Sequence, residues 1–326
     1  MHAIRQYAFG APDTLRYEEV PTPEPEAGRV RVAVEAAGVH LVDTTIRSGT
    51  PGGPFAPPEL PMTPGREVAG VVEAIGDGVD AGWLGARVVV HLGVVSGGDA
   101  SHAVAAVESL HRLPDTLGTT TAVAMMGTGR MTTGVLELAR LRAGDVALVT
   151  SAAGGSGTLV VQAARAAGAT VVGVAGGPAK VERVLANGAD AAADYTDPAW
   201  PDVVRAALGD EAVTVVFDAV GGEPGRAAFD LLGPGGRTIV YGWSAGEPTA
   251  FTSGDLLARG LTAVVALGAP IFQLPGGLRG LEERALAAAA DGSLVPAVTT
   301  FPLSDAAGAH AALESRAAVG KVVLLP

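Results

Sequence analysis

Apolar and polar residues follow two rhythms along the chain. Up to about residue 118, short apolar runs at 30–39, 68–75 and 86–91 are broken by turn signals such as Pro21-Thr22-Pro23-Glu24-Pro25 and Gly76-Asp77-Gly78. Runs of this length and spacing predict short strands in a compact β-barrel-like domain. Residues 48–64, rich in Gly and Pro, predict a long surface loop. Loops of that length often carry function, and Phe55, Leu60 and Met62 offer apolar walls for a substrate.

From about residue 119 the rhythm changes. Residues 119–141 are apolar at helical spacing, despite Gly127 and Gly129. Strands are predicted at 145–150, 170–175, 191–195, 213–218 and 237–241, with a β-branched run at 261–267 as a sixth. Helices are predicted between them at 158–167, 179–187, 201–208 and 224–232. This alternation predicts an α/β class with a doubly wound parallel sheet covered on both faces. The expected division is 1–118 for the first domain, rejoined by 291–326, and 119–290 for the second, with the tail closing on a strand at 321–325.

Composition narrows the function classes. The 326 residues exceed one ordinary core, and a 48% hydrophobic share supplies buried sheets. Only 4% of residues are aromatic, and the abundant Ala and Gly permit close helix-to-sheet packing. A net charge of −12 argues against nucleic-acid or anionic-membrane partners, which need a basic surface. The lack of cysteine excludes disulfides, thiolate metal sites and a Cys nucleophile. With no apolar run of about 18 residues and no signal core after Met1, a soluble cytoplasmic protein is expected. No Gly-x-Ser-x-Gly elbow supports a serine hydrolase.

The strand Val146-Ala147-Leu148-Val149-Thr150 runs into Ser151-Ala152-Ala153-Gly154-Gly155-Ser156-Gly157 and then a helix. Against the dinucleotide fingerprint Gly-x-Gly-x-x-Gly, Ala152 takes the first position, while Gly154 and Gly157 keep the others. A bare Gly154 lets the backbone approach a pyrophosphate, Gly157 lets helix and strand pack closely, and the N–H groups at the helix start face the phosphates. A glycine turn alone also serves plain structure, so it is the strand–turn–helix context that favours a dinucleotide. At the second strand's end an NAD site places an acid for the ribose hydroxyls. Here Val174-Ala175-Gly176-Gly177-Pro178-Ala179-Lys180 carries none. Gly176 leaves room for a 2′-phosphate, Lys180 supplies the opposite charge and Tyr195 a hydroxyl, which favours NADPH; the plain alternative is a solvated Lys180.

Several segments together resemble the quinone oxidoreductase branch of the medium-chain dehydrogenase/reductase family, which lacks zinc. They are Ala37-Gly38-Val39-His40-Leu41-Val42-Asp43-Thr44-Thr45-Ile46-Arg47-Ser48-Gly49, Pro64-Gly65-Arg66-Glu67-Val68-Ala69-Gly70, the glycine turn with Gln162, Asp218-Ala219-Val220-Gly221-Gly222, and Gly320-Lys321-Val322-Val323-Leu324. The resemblance implies a GroES-like catalytic domain joined to a Rossmann domain, with the active site in the cleft between them. It implies hydride transfer from NADPH to a quinone or activated enone. It also implies that Gly154, Gly155, Ser156, Gly157, Gly176, Lys180, Tyr195, Val220, Tyr241, Gly242, Ser244 and Lys321 contact the cofactor. In zinc relatives, His40 and Arg66 stand at the first two ligand positions; one His beside an Arg does not make a zinc site, so no metal is expected.

Two positions depart from the pattern. Quinone oxidoreductases usually carry Asn where His40 stands, and Gly-Leu-Thr-Ala-Tyr where this chain reads Gly129-Arg130-Met131-Thr132-Thr133. His40 either gives a proton or hydrogen bond to a substrate oxygen, since imidazole titrates near neutral pH, or replaces Asn as a polar contact. Asp43 and Arg47 are expected to serve structure as an ion pair, and Glu67 to partner Arg66 or another Arg. His91, His102, His111 and His310 have no ligand spacing. The alternatives are an enoyl-thioester reductase, for which no basic carrier site is evident, and a cofactor-binding protein with little activity. The run at 261–267 reads as an apolar edge strand, which predicts a homodimer.

Overall fold

The computed structural model describes residues 1–50, 57–93 and 96–326. The chain forms two compact units: Met1–Thr128 with Leu286–Gly292 and Pro296–Pro326, and Gly129–Ala285 with Ser293–Val295.

The first unit opens with a hairpin of β1 (His2–Gln6) and β2 (Leu15–Glu19). There follow β3 (Arg29–Val39), α1 (Leu41–Ser48), β4 (Glu67–Ile75), β5 (Arg87–His91), β6 (His102–Ala106), β7 (Leu110–Arg112) and α2 (Thr119–Ala124). β3 is the organising strand: Val30, Val32 and Val34 alternate inward, as a half-buried strand requires. Two register shifts against β4 let β3 bend and also pair with β6. Ser48, read as the start of a loop, closes α1 instead. Of the proposed substrate loop, residues 51–56, Phe55 among them, lie outside the described residues, and Met62 is tied by two backbone hydrogen bonds to Gln6.

A π-helical turn, Met125–Gly129, leads from α2 into the second unit at α3 (Arg130–Ala139). Strands and helices then alternate: β8 (Val146–Val149), α4 (Gly155–Ala166), β9 (Thr170–Ala175), α5 (Pro178–Ala186), β10 (Ala191–Asp194), α6 (Trp200–Leu208), β11 (Val213–Asp218), α7 (Gly222–Asp230) and β12 (Leu232–Val240). After α8 (Ser253–Arg259) come β13 (Thr262–Val265), α9 (Ala269–Phe272) and α10 (Gly277–Ala290). The six strands are all parallel in the order β10-β9-β8-β11-β12-β13. That is the doubly wound dinucleotide order, with its switch point between β8 and β11. β8 is buried along its whole length and the sheet interior is Val-rich, as expected for strands covered on both faces.

The tail adds β14 (Val298–Pro302), α11 (Ala306–Glu314) and β15 (Lys321–Leu325) to the first unit. β15 lies between β14 and β3, completing a seven-stranded sheet. No helix among the described residues is long and apolar enough to cross a membrane.

Candidate functional site

In the second unit the glycine turn is built under strain. Ser151 holds φ at +52°, a left-handed conformation that costs a non-glycine residue about 1 kcal/mol. Its carbonyl accepts from the Gly154 N–H at 2.8 Å, and the Ala152 N–H donates to Val174 at 3.0 Å. Gly154 caps α4 without a side-chain acceptor, so the first-turn N–H groups of Gly155, Ser156 and Gly157 have no partner within the helix. Such an end favours anions through its N–H groups and its dipole together. Only glycine fits at 157: a Cβ there would lie 2.2 Å from the Ser151 carbonyl oxygen.

Two further strand ends shape the same edge of the sheet. Asp218, buried at the end of β11, accepts from the N–H groups of Val220 and Gly221, each at 3.0 Å, and from the hydroxyls of Thr150 and Thr249. It thereby ties the loop after β11 to the end of β8. Val220 is itself buried. Tyr241 donates its N–H to Asp218 at 2.8 Å, and Ser244 donates to Ala219 at 3.1 Å, so the Tyr241–Gly242–Ser244 loop lies on the Ala219–Val220 loop. The Tyr241 hydroxyl is buried with no hydrogen-bond partner among the described residues, and burial, with Asp218 nearby, makes it harder to ionise.

At the end of β9, Gly176 and Tyr195 meet. A Cβ on Gly176 would be 3.0 Å from the Tyr195 hydroxyl. Lys180 is half-buried in the first turn of α5, its N–H on the Gly177 carbonyl at 3.1 Å. The structure therefore gathers Gly176, Tyr195 and the start of α5 at one place.

In the first unit, His40 caps α1 and its N–H donates to Asp43 at 2.7 Å. Its Nε2 lies 2.9 Å from Oε1 of Glu67, a fully buried carboxylate, and the Lys321 ammonium sits on the same oxygen. The π-helical turn covers this trio: a Cβ on Gly127 would be 2.4 Å from the other Glu67 oxygen and 2.8 Å from the His40 ring. π-turns recur at functional sites, and here one makes room for a buried charge. Burial would push the Glu67 carboxyl up, but His40 and Lys321 override it and hold it well below the usual carboxylate range. Burial pushes Lys321 down, against the pull of Glu67. Asp99 beside them is pushed up to about 8 by burial and by Asp43, so it keeps its proton at neutral pH.

The ion pairs differ from those read in the sequence. Arg66 pairs with Asp43 at 2.9 Å, not with Glu67, and Arg47 reaches Glu314 of α11, not Asp43. The cause is the helix α1, which turns Asp43 toward the start of β4 and Arg47, a turn further on, toward α11. His310 is fully buried with no side-chain hydrogen-bond partner among the described residues, and burial lowers its pKa to about 4, which keeps it neutral. Among the described residues no group of three His, Cys or acidic side chains could hold a metal. With His40 on Glu67 and the Arg66 cation on Asp43, these residues do not fit a zinc ion, which usually takes three protein ligands.

Sequence reasoning missed Asp218 as an organiser, although an Asp closing a strand before Gly-Gly was a readable signal.

Known proteins place this architecture. The alcohol dehydrogenase GroES-like domain matches residues 26–137, and the zinc-binding dehydrogenase domain matches 155–272. A quinone oxidoreductase from Rattus norvegicus is 34% identical over 100% of this chain and 98% of its own length. The Escherichia coli quinone oxidoreductase, solved in complex with NADPH, superposes with a TM-score of 0.87 at 28% identity, covering 100% of both chains. A structure described as an NAD-dependent alcohol dehydrogenase reaches 0.88 at 29% identity, again over 100% of both chains. On fold, on domain order and on full-length identity, the chain belongs to the quinone oxidoreductases of the medium-chain dehydrogenase/reductase family.

Proposed function

We propose that this chain is an NADPH-dependent oxidoreductase that passes a hydride to a quinone or an activated enone without zinc. One observation carries the reading: in a sheet of doubly wound order, β8 ends in a glycine turn that opens on the uncapped N-terminus of α4. The rat and Escherichia coli relatives support both substrate class and cofactor. The likeness to an NAD-dependent neighbour means that fold alone does not select the phosphate. That choice rests on Lys180, Tyr195 and the missing acid between residues 170 and 180.

Bound NADPH supplies the hydride. The α4 N–H groups would hold its pyrophosphate, and the loops at Val220 and at Tyr241, Gly242 and Ser244 are assigned to the rest of the cofactor; Lys321, also expected there, is buried on Glu67. Reduction of a quinone or enone consumes one hydride and one proton. His40, partly exposed and backed by Glu67, gives that proton to the substrate oxygen and regains it from solvent.

Incubation with NADPH and 9,10-phenanthrenequinone, a crotonyl thioester or no acceptor tests the reading. Oxidation of NADPH is expected with the quinone. His40→Asn should lower kcat about 100-fold, the low end of the contribution of a positioned proton donor, and leave NADPH affinity unchanged. Turnover of the thioester alone would move the assignment to an enoyl-thioester reductase. No turnover with any acceptor would leave a cofactor-binding protein.

A homodimer completes the proposal. β13 is the edge of the parallel sheet, with Val265 on it 54% exposed, and open edges invite a second strand. Light scattering should give twice the chain mass; a monomer mass would refute the pairing.

A further inference from the structure

The turn between β9 and α5 is held by a residue outside the cofactor pattern. Gly177 caps α5 with φ at +90°; lying ahead of the first turn, its N–H has no acceptor inside the helix, and Pro178 after it has no N–H to give. Asp194, the last residue of β10, provides the acceptor. Its Oδ1 receives the Gly177 N–H at 2.9 Å, the Thr196 N–H at 2.9 Å and the Thr196 hydroxyl at 2.7 Å. These bonds, Gly177 first, hold its carboxyl below the ordinary range. The next residue along is Tyr195, whose N–H donates to Ala175 at 3.1 Å and whose hydroxyl fills the space that Gly176 leaves. Asp194 thus fixes two things at once: the residue from which α5 and Lys180 start, and the backbone from which Tyr195 projects.

An acid at this edge of a dinucleotide site ordinarily serves an unphosphorylated ribose, and a free carboxylate would repel a 2′-phosphate. Here one carboxylate oxygen is occupied by three donors of the loop itself, which turns the group toward the backbone of the turn. The residue works as an acceptor for the loop.

We propose that Asp194 is a positioning residue for NADPH selectivity: its bond to Gly177 holds Gly176, Lys180 and Tyr195 in one arrangement ready for the 2′-phosphate. The proposal rests on the reading of Lys180 and Tyr195 as the phosphate site. Its energetic basis is pre-organisation, because a loop already ordered need not be ordered by the ligand.

Fluorescence titration of the full-length protein with NADPH and with NADH, which reads affinity without turnover, tests it. Asp194→Ala should weaken NADPH at least fivefold and leave NADH unchanged. Asp194→Asn, which keeps the carbonyl acceptor for Gly177, should preserve the native ratio of the two affinities. Thermal melts of both variants verify folding. Equal weakening of both cofactors by Asp194→Ala, no weakening of either, or an Asn variant as unselective as the Ala variant would each overturn the role of Asp194. A native protein that binds NADPH and NADH equally would instead overturn the phosphate site itself, and the proposal with it.

Discussion

Lys321→Met should cost the first unit about 3–5 kcal/mol, the range for removing one partner of a buried ion pair. At roughly 2–4 °C per kcal/mol for a unit of this size, its melting transition should fall by about 6–20 °C. Glu67 is fully buried and Lys321 nearly so, and the ammonium shares one Glu67 carboxylate oxygen with the His40 ring. Without the ammonium, the buried Glu67 carboxylate keeps the His40 ring as its partner, and Asp43 stands close by. The pH dependence has a definite sign. The native Glu67 carboxyl is held below its unfolded value, so it contributes stability above the ordinary carboxylate range and loses it as pH falls through the depressed value. The difference between native and variant should therefore be widest near neutral pH and narrow in acid, where Glu67 takes a proton. Adding Glu67→Gln to Lys321→Met should restore much of the loss, since a neutral pair leaves no charge stranded. Differential scanning calorimetry at several pH values measures all three. An unshifted melting transition in Lys321→Met would mean that Glu67 is not held ionised by this lysine.

Much of the second unit could be read in the residues, because its signals are local. The strands Thr170–Ala175 and Val213–Asp218 are bounded in the structure as the apolar runs bound them. β12 was read too short. Its first residues, Leu232-Gly233-Pro234-Gly235-Gly236, carry turn chemistry, yet Leu232 pairs with Val213 across a register shift. There the sheet's demand for a neighbour outweighed the local preference of Gly and Pro. The helical reading of 119–141 found the element but not its π-helical turn, since that turn answers to Glu67, far away in sequence. The same limit explains the exchanged ion pairs. Spacing puts Asp43 on the His40 face of α1, but it cannot say that β4 brings Arg66 to Asp43 or that α11 brings Glu314 to Arg47. Charges in the sequence were countable; their partners depended on which strand lay beside which.

Lys180→Ala should weaken NADPH by about 30- to 150-fold, in line with roughly 2–3 kcal/mol for a hydrogen bond between charged groups. NADH should bind as before, because it has no 2′-phosphate to miss the ammonium. The asymmetry separates a phosphate contact from a helix defect. Lys180 lies in the first turn of α5, where alanine is an excellent helix former, so the backbone of the turn should survive the change. A lysine in this position also works against the helix dipole, which disfavours a cation at the N-terminus. A ligand that carries two negative charges reverses that balance: the helix end and the ammonium then act on the same phosphate, with the Tyr195 hydroxyl beside Gly176. The expected signature is a large loss for NADPH with none for NADH in a protein that still melts cooperatively. Titration with NADPH and NADH against thermal melts of the same samples measures it. Equal loss for both cofactors would place Lys180 on the pyrophosphate or in the fold, and no loss for either would leave it a solvated helix residue.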